Sequence, residues 1–178
     1  MPTFAITSVG QDRPGIVAAV TKVLLDSGCN LEDTAMSILG GQFAMVMVVA
    51  GPDEVQAVDL EEYLATRTAD LHLFVSVREI EAASATADES GARCTVVVYG
   101  PDHPGIVHLV AQELAARNVN IVDVTTRISG TDGGLYSMVM EVVLPTGIDA
   151  SDLERELTTA AANDELTVRV TPADADLF

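Results

Sequence analysis

Two short runs in this chain combine the residue types that hold a small anion. Gly10-Gln11-Asp12-Arg13-Pro14-Gly15-Ile16-Val17 returns 90 positions later as Gly100-Pro101-Asp102-His103-Pro104-Gly105-Ile106-Val107. In each run a strand-like stretch ends and a helical pattern begins. The first amides of a helix lack internal acceptors and sit at the positive end of its dipole, so a carboxylate is stabilised there. Gly15 and Gly105 carry no side chain and let a ligand approach the backbone closely. Asn30 and Asn120 stand just ahead of the next strand, which is expected beside the first. An amide side chain donates and accepts at once, as a zwitterion with a carboxylate and an ammonium requires. The same residues admit a structural reading: Asp12 and Asp102 as helix caps, the glycines as turn residues, the asparagines as tolerant of a left-handed backbone.

The repeat extends well beyond these runs. Cys29-Asn30-Leu31-Glu32-Asp33 recurs at the same offset as Val119-Asn120-Ile121-Val122-Asp123. Phe43-Ala44-Met45-Val46-Met47 then answers to Tyr136-Ser137-Met138-Val139-Met140, 93 positions on. A register kept across a helix and slipped at a turn indicates a duplicated domain whose slack lies in a hairpin. Two copies are too few for a solenoid. Domains are expected over 1–81 and 93–178, joined by a small, polar linker over 82–92.

Periodicity predicts the same elements twice. The first copy reads as a strand over 3–9, a helix over 14–27 and two strands over 31–39 and 42–50 around Gly40-Gly41. A second helix begins at Pro52-Asp53 and a strand over 71–80 closes the unit. The second copy reads as a strand over 93–99, a helix over 104–117 and strands over 121–129 and 135–144 around a turn at 130–134. Ser151-Asp152-Leu153-Glu154 reads as a capping box opening its second helix, and a strand over 166–170 follows. The apolar faces are Ile16, Val17, Val20 and Leu24; Val55, Val58 and Leu64; and Leu153, Leu157 and Ala161. This order is the ferredoxin-like α+β arrangement (βαββαβ), an antiparallel sheet with both helices on one face. Residues 44–49 and 95–98 are apolar on both sides. The helix-free face is therefore expected to be covered by the other domain or a second chain, which points to a homo-oligomer, a homodimer being the simplest.

Charge excludes one class of partner. With 27 acidic and 9 basic residues among 178, the formal net charge is −18, and the bases are scattered. Nucleic-acid binding needs a basic patch, so direct DNA or RNA contact is not expected. Cys29 and Cys94 form no Cys-x-x-Cys pair and read as buried free thiols. The start of the chain carries no basic leader, and no window is apolar for eighteen residues, so a cytoplasmic protein without membrane contact is expected. The sequence contains no Gly-x-Ser-x-Gly, Walker loop or His-Glu-x-x-His, so catalysis is not expected. His72 lies in a strand pattern. His103 and His108 are five apart, poor spacing for a shared metal on a helix. Asp174-Ala175-Asp176 reads as a solvated tail. Neither a metal nor a cofactor is expected.

Asp12-Arg13-Pro14-Gly15-Ile16-Val17 followed by Asn30-Leu31, and the matching second set, resemble the ACT domain, a ferredoxin-like regulatory module. The resemblance spans nearly the whole chain, and two such modules together resemble the glycine cleavage system transcriptional repressor family. It implies a small amino acid such as glycine or serine, held at a boundary between two modules by the loop after strand one and the strand-two Asn. Carried over by position, it implicates Asp12, Arg13, Pro14, Gly15, Ile16 and Asn30, and then Asp102, His103, Pro104, Gly105, Ile106 and Asn120. His103 replaces the commoner Arg and sets the second site apart. The implied protein is a non-catalytic amino-acid sensor. Its ligand biases one arrangement of modules, and it acts on transcription through a regulatory protein or enzyme partner. The alternatives are a regulatory subunit acting in trans on an amino-acid metabolic enzyme, and a ligand-independent adaptor docking a basic partner.

Overall fold

The computed structural model describes residues 1–81, 91–130 and 134–173. Most of the expected linker, the hairpin tip at 131–133 and the Asp174-Ala175-Asp176 tail lie outside the described residues. The described residues fall into two compact units. The first contains β1 (Thr3–Gln11), α1 (Ile16–Asp26), β2 (Asn30–Leu39), β3 (Gln42–Ala50), α2 (Ala57–Arg67), a 3₁₀ turn (Ala69–Leu71) and β4 (Phe74–Ile80). The second contains β5 (Ala92–Pro101), α3 (Ile106–Ala116), β6 (Asn120–Ser129), β7 (Leu135–Leu144), α4 (Ala150–Ala160), a 3₁₀ turn (Ala162–Asp164) and β8 (Thr167–Pro172). The sheets are antiparallel, in the orders β2-β3-β1-β4 and β6-β7-β5-β8. Both units have the expected ferredoxin-like α+β fold.

Several boundaries differ from the sequence reading for identifiable reasons. α1 begins at Ile16 rather than Pro14, because Gly15 sits at φ 96° and cannot be a helical residue. Its buried face is Ile16, Val20, Val23 and Leu24, while Val17 is exposed. α2 starts at Ala57, after a turn in which the Val55 amide donates to the Pro52 carbonyl. That start puts Leu60 and Leu64 inward and leaves Val58 in solvent. The capping box at Ser151 is not formed. Asp149 is the N-cap instead, accepting from the Asp152 amide at 2.8 Å, and Ser151 donates its hydroxyl to the same carboxylate.

The two cores solve one packing problem in opposite ways. In the first, Phe4 is fully buried and fills the space beside Gly51, where an added Cβ would lie 2.8 Å from the ring. The corresponding residues of the second copy are Cys94 and Leu144, both buried. A large residue on the first strand with a glycine just past the third becomes a small residue on the first strand with a leucine at the end of the third. Total volume is kept while its ownership changes.

β3 alternates as a one-sided strand. Phe43, Met45, Met47 and Val49 are buried under the helices, while Val46 on the other face is 50% exposed. Phe74 is exposed on that same open face, as the pairings Phe74 to Val9 and Val9 to Ala44 place it. β2 is exposed along its whole length, and β6 nearly so.

Candidate functional site at the strand-to-helix turns

In the first unit the turn is held at three points. Gly10 lets β1 run against the approach to β4: a Cβ there would meet Leu73 at 2.8 Å and the His72 carbonyl at 3.3 Å. The Asp12 amide donates to the Gly41 carbonyl at 3.0 Å, tying the loop to the β2–β3 hairpin. Arg13 donates through Nη1 to the Asp70 carbonyl at 3.4 Å. Gly15 then makes the left-handed step that only glycine takes without strain, and its carbonyl accepts from the Ala19 amide at 2.9 Å. Ile16 is buried and anchors the helix start.

What remains uncovered is the helix start itself. Gly15 is the N-cap of α1 and no side chain caps it, so Asp12 does not serve as a cap. The amides of Ile16, Val17 and Ala18 find no acceptor among the described residues. Space beside Gly15 is open, with nothing within 4 Å of where a Cβ would lie. An open groove of about 530 Å³ passes over this point, lined by Asp12, Arg13, Pro14 and Gly15 and walled by Met36 of β2 and Phe43 of β3. Met36 and Phe43 were not read as site residues from the sequence. Their signal was the register of the hairpin, which sets Met36 opposite Met45 and Ile38 opposite Phe43.

The second turn repeats this plan, down to the order of buried and exposed residues across 102–110. Gly100 approaches the Glu165 carbonyl, Gly105 takes φ 104° as the N-cap of α3, and the Leu109 amide donates to the Gly105 carbonyl. The tether differs. His103 stands where Arg13 does; its Nδ1 lies 3.1 Å from the Pro104 carbonyl, and its Nε2 lies 3.7 Å from Asp164, beyond hydrogen-bond length. The neighbouring wall differs too, since Tyr136 replaces Phe43. Burial pushes the Tyr136 phenol up, and the Asp102 carboxylate adds to that.

Asn30 and Asn120 are exposed first residues of β2 and β6. Within one unit each is far from the turn. β3 lies between β1 and β2, so the expected adjacency of strands one and two is not found. Asn30 pairs with Ala50, while the turn follows Gln11, level with Gln42 and Leu39 at the other end of the sheet. Eight or nine strand steps separate the two, roughly 25–30 Å. Each strand also carries a bulge beside its Asn, between Leu31 and Asp33 and between Ile121 and Asp123, where a strand can re-aim a side chain. His108 is exposed on α3, and the described residues contain no group of three or more potential metal ligands. Cys29 and Cys94 are free, and burial raises both thiols.

Family models describe residues 3–78 and residues 95–157 as ACT domains. The chain belongs to the ACT-domain family. Its two ACT modules together are similar to the glycine cleavage system transcriptional repressor of Escherichia coli, 25% identical over 155 residues, which cover 85% of this chain and 80% of the repressor. A UPF0237 protein of Methanopyrus kandleri is 45% identical over 49 residues, 28% of this chain and 54% of that protein. Among solved structures, an unknown protein from Galdieria sulphuraria matches with a TM-score of 0.79 at 23% identity, covering 97% of this chain and 98% of that one. The ACT modules and the likeness to the repressor support a regulatory role. Among the described residues, no helix is long and apolar enough to cross a membrane.

Proposed function

We propose that this chain is a non-catalytic regulator that binds a small amino acid, of the size of glycine or serine, at residues 12–16 and 102–106. It conveys occupancy through protein contacts. The observation that carries this reading is the run of acceptor-free amides at Ile16, Val17 and Ala18 beneath an open groove with an apolar wall. A carboxylate satisfies those amides and meets the helix dipole, while the aliphatic carbon faces Met36 and Phe43. Asn30 supplies an acceptor for the ammonium, but its own module holds it at the wrong end. A second copy of the chain provides it. Antiparallel pairing of β2 with its counterpart sets the start of one strand against the end of the other, bringing the partner's Asn30 beside the Gly15 turn. Such a contact is isologous and closes as a homodimer.

The likeness to the repressor supports transcription regulation. The charge of −18 opposes direct contact with DNA and favours a regulatory protein or enzyme as partner. For a ligand of glycine's size, a ceiling of about 1.5 kcal/mol per heavy atom bounds affinity near the micromolar range, which suits a sensor of metabolite level. The test is thermal unfolding of the full chain against the proteinogenic amino acids. One or two should raise the midpoint, and Asn30→Ala should abolish the rise. A flat response to all of them removes the sensor reading and leaves a scaffold.

A further inference from the structure

Glu61 of α2 and Glu154 of α4 are 93 positions apart, in the register that relates the two modules. Each reaches past its helix to the rim of the sheet. The Val77 amide donates to Glu61 Oε2 at 2.7 Å, and the Val170 amide donates to Glu154 Oε2 at 2.7 Å. Val77 and Val170 belong to β4 and β8, the terminal strands on the side away from β2 and β6. In an antiparallel ladder the backbone groups of alternate residues point inward and outward. Since Val77 and Val170 donate to a helix side chain, they are outward residues. Outward amides of a terminal strand are the groups an incoming strand pairs with.

We infer that Glu61 and Glu154 lock these edges against strand addition by a second copy of this chain. The carboxylate oxygen occupies the amide an incoming strand would use. Space does not exclude a strand, for an open groove of about 550 Å³ lies beside β8, lined by Ser151, Glu154, Thr158 and Pro172. The lock on β8 has two further parts. Arg169 Nη1 reaches the other oxygen of Glu154 at 3.4 Å. Pro172, two residues on in the outward row, has no amide to offer. No helix side chain seals β2 or β6 in this way among the described residues; on β2 the Thr34 amide meets only the carboxylate of its neighbour Asp33. Association between copies is thereby directed to one side of each sheet.

The test replaces both residues in the full chain, as Glu61→Leu with Glu154→Leu, beside a Glu61→Gln with Glu154→Gln control that keeps an acceptor. Circular dichroism checks the fold, light scattering reads mass against concentration, and hydrogen exchange follows single amides. In the leucine variant the Val77 and Val170 amides should exchange about tenfold faster or more when dilute. At high concentration that variant should exceed the wild-type mass, with protection appearing at Val75 and Glu79. The glutamine variant should match wild type in both readouts. A folded leucine variant with unchanged mass overturns the proposal, and so does a glutamine variant whose Val77 amide loses protection. The glutamine arm decides the matter by itself should the leucine variant fail to fold.

Discussion

The two ACT modules share the glycine geometry of the turn and differ in the side chains around it. Both keep a left-handed glycine at the helix start, a glycine where the first strand meets the approach to the last, and a glutamate on the second helix that accepts from an outer-strand amide. Around these, Arg13 becomes His103, Phe43 becomes Tyr136, and the large and small partners of the core exchange strands. Groups that satisfy backbone geometry have no substitute, so both copies retain them. Groups that fill volume or tether a loop can be traded for others of similar effect. The open sheet faces diverge as well: both expose a valine, Val46 or Val139, but Phe74 of the first becomes Thr167, and Val48 and Ser76 become Glu141 and Arg169 on the rows through Thr95 and Val97.

The two modules should differ most in their cores. Phe4→Ala should cost about 3–5 kcal/mol in urea unfolding, and Cys94→Ala at the matching position only about 1 kcal/mol. Phe4→Cys combined with Gly51→Leu should lose less than the two single changes added together, because it rebuilds the second module's solution in the first. Strict additivity would show that the two pairs are not equivalent.

The turns should respond alike. Gly15→Ala and Gly105→Ala each meet open space yet force a Cβ onto a left-handed backbone, at about 1–2 kcal/mol. Thermal unfolding giving a loss in one module alone would mean that the equivalence is only apparent.

A smaller difference separates the second helices. α4 is capped by Asp149, and α2 has Gln56 with no side-chain cap. Hydrogen bonds from the Asp152 amide and the Ser151 hydroxyl hold the Asp149 carboxyl below its ordinary value of 3.8. A depressed carboxylate stabilises the fold above the unfolded-state value, and that contribution disappears as pH falls through the lower folded-state value. Asp149→Asn should therefore flatten the acid end of the second module's stability curve, while Gln56→Ala leaves that of the first unchanged. The loop tethers rank last: Arg13→Ala should cost about 0.5 kcal/mol or less, since its bond to the Asp70 carbonyl is long and exposed.

Much of this was legible in the repeat. Matched glycines and strand patterns announced the fold, the two hairpins and the turns, because local backbone preference decides them. Phase and capping were less legible. Val17 and Val58 looked buried because helix starts were read from prolines, whereas Gly15 and the turn after Pro52 delayed them. Asp149 was passed over for Ser151 because the capping-box pattern fits the later residue, although the earlier carboxylate reaches the Asp152 amide. The separation of Asn30 from the turn depends on strand order, a non-local property that spacing along the chain does not carry. The glutamate locks could have been found from the 93-residue register, since Glu61 and Glu154 recur in it.

Amino-acid sensing requires the helix-start amides to be a ligand site. Titrating the full chain with each proteinogenic amino acid, while following backbone amide resonances, tests this directly. We expect one amino acid to move Ile16, Val17 and Ala18 together with the Asn30 side-chain amide, saturating in the micromolar to millimolar range. Gly15→Val should silence the first turn and leave Ile106, Val107 and His108 responsive. Resonances that stay fixed at millimolar concentrations of every amino acid would contradict a ligand site at these amides.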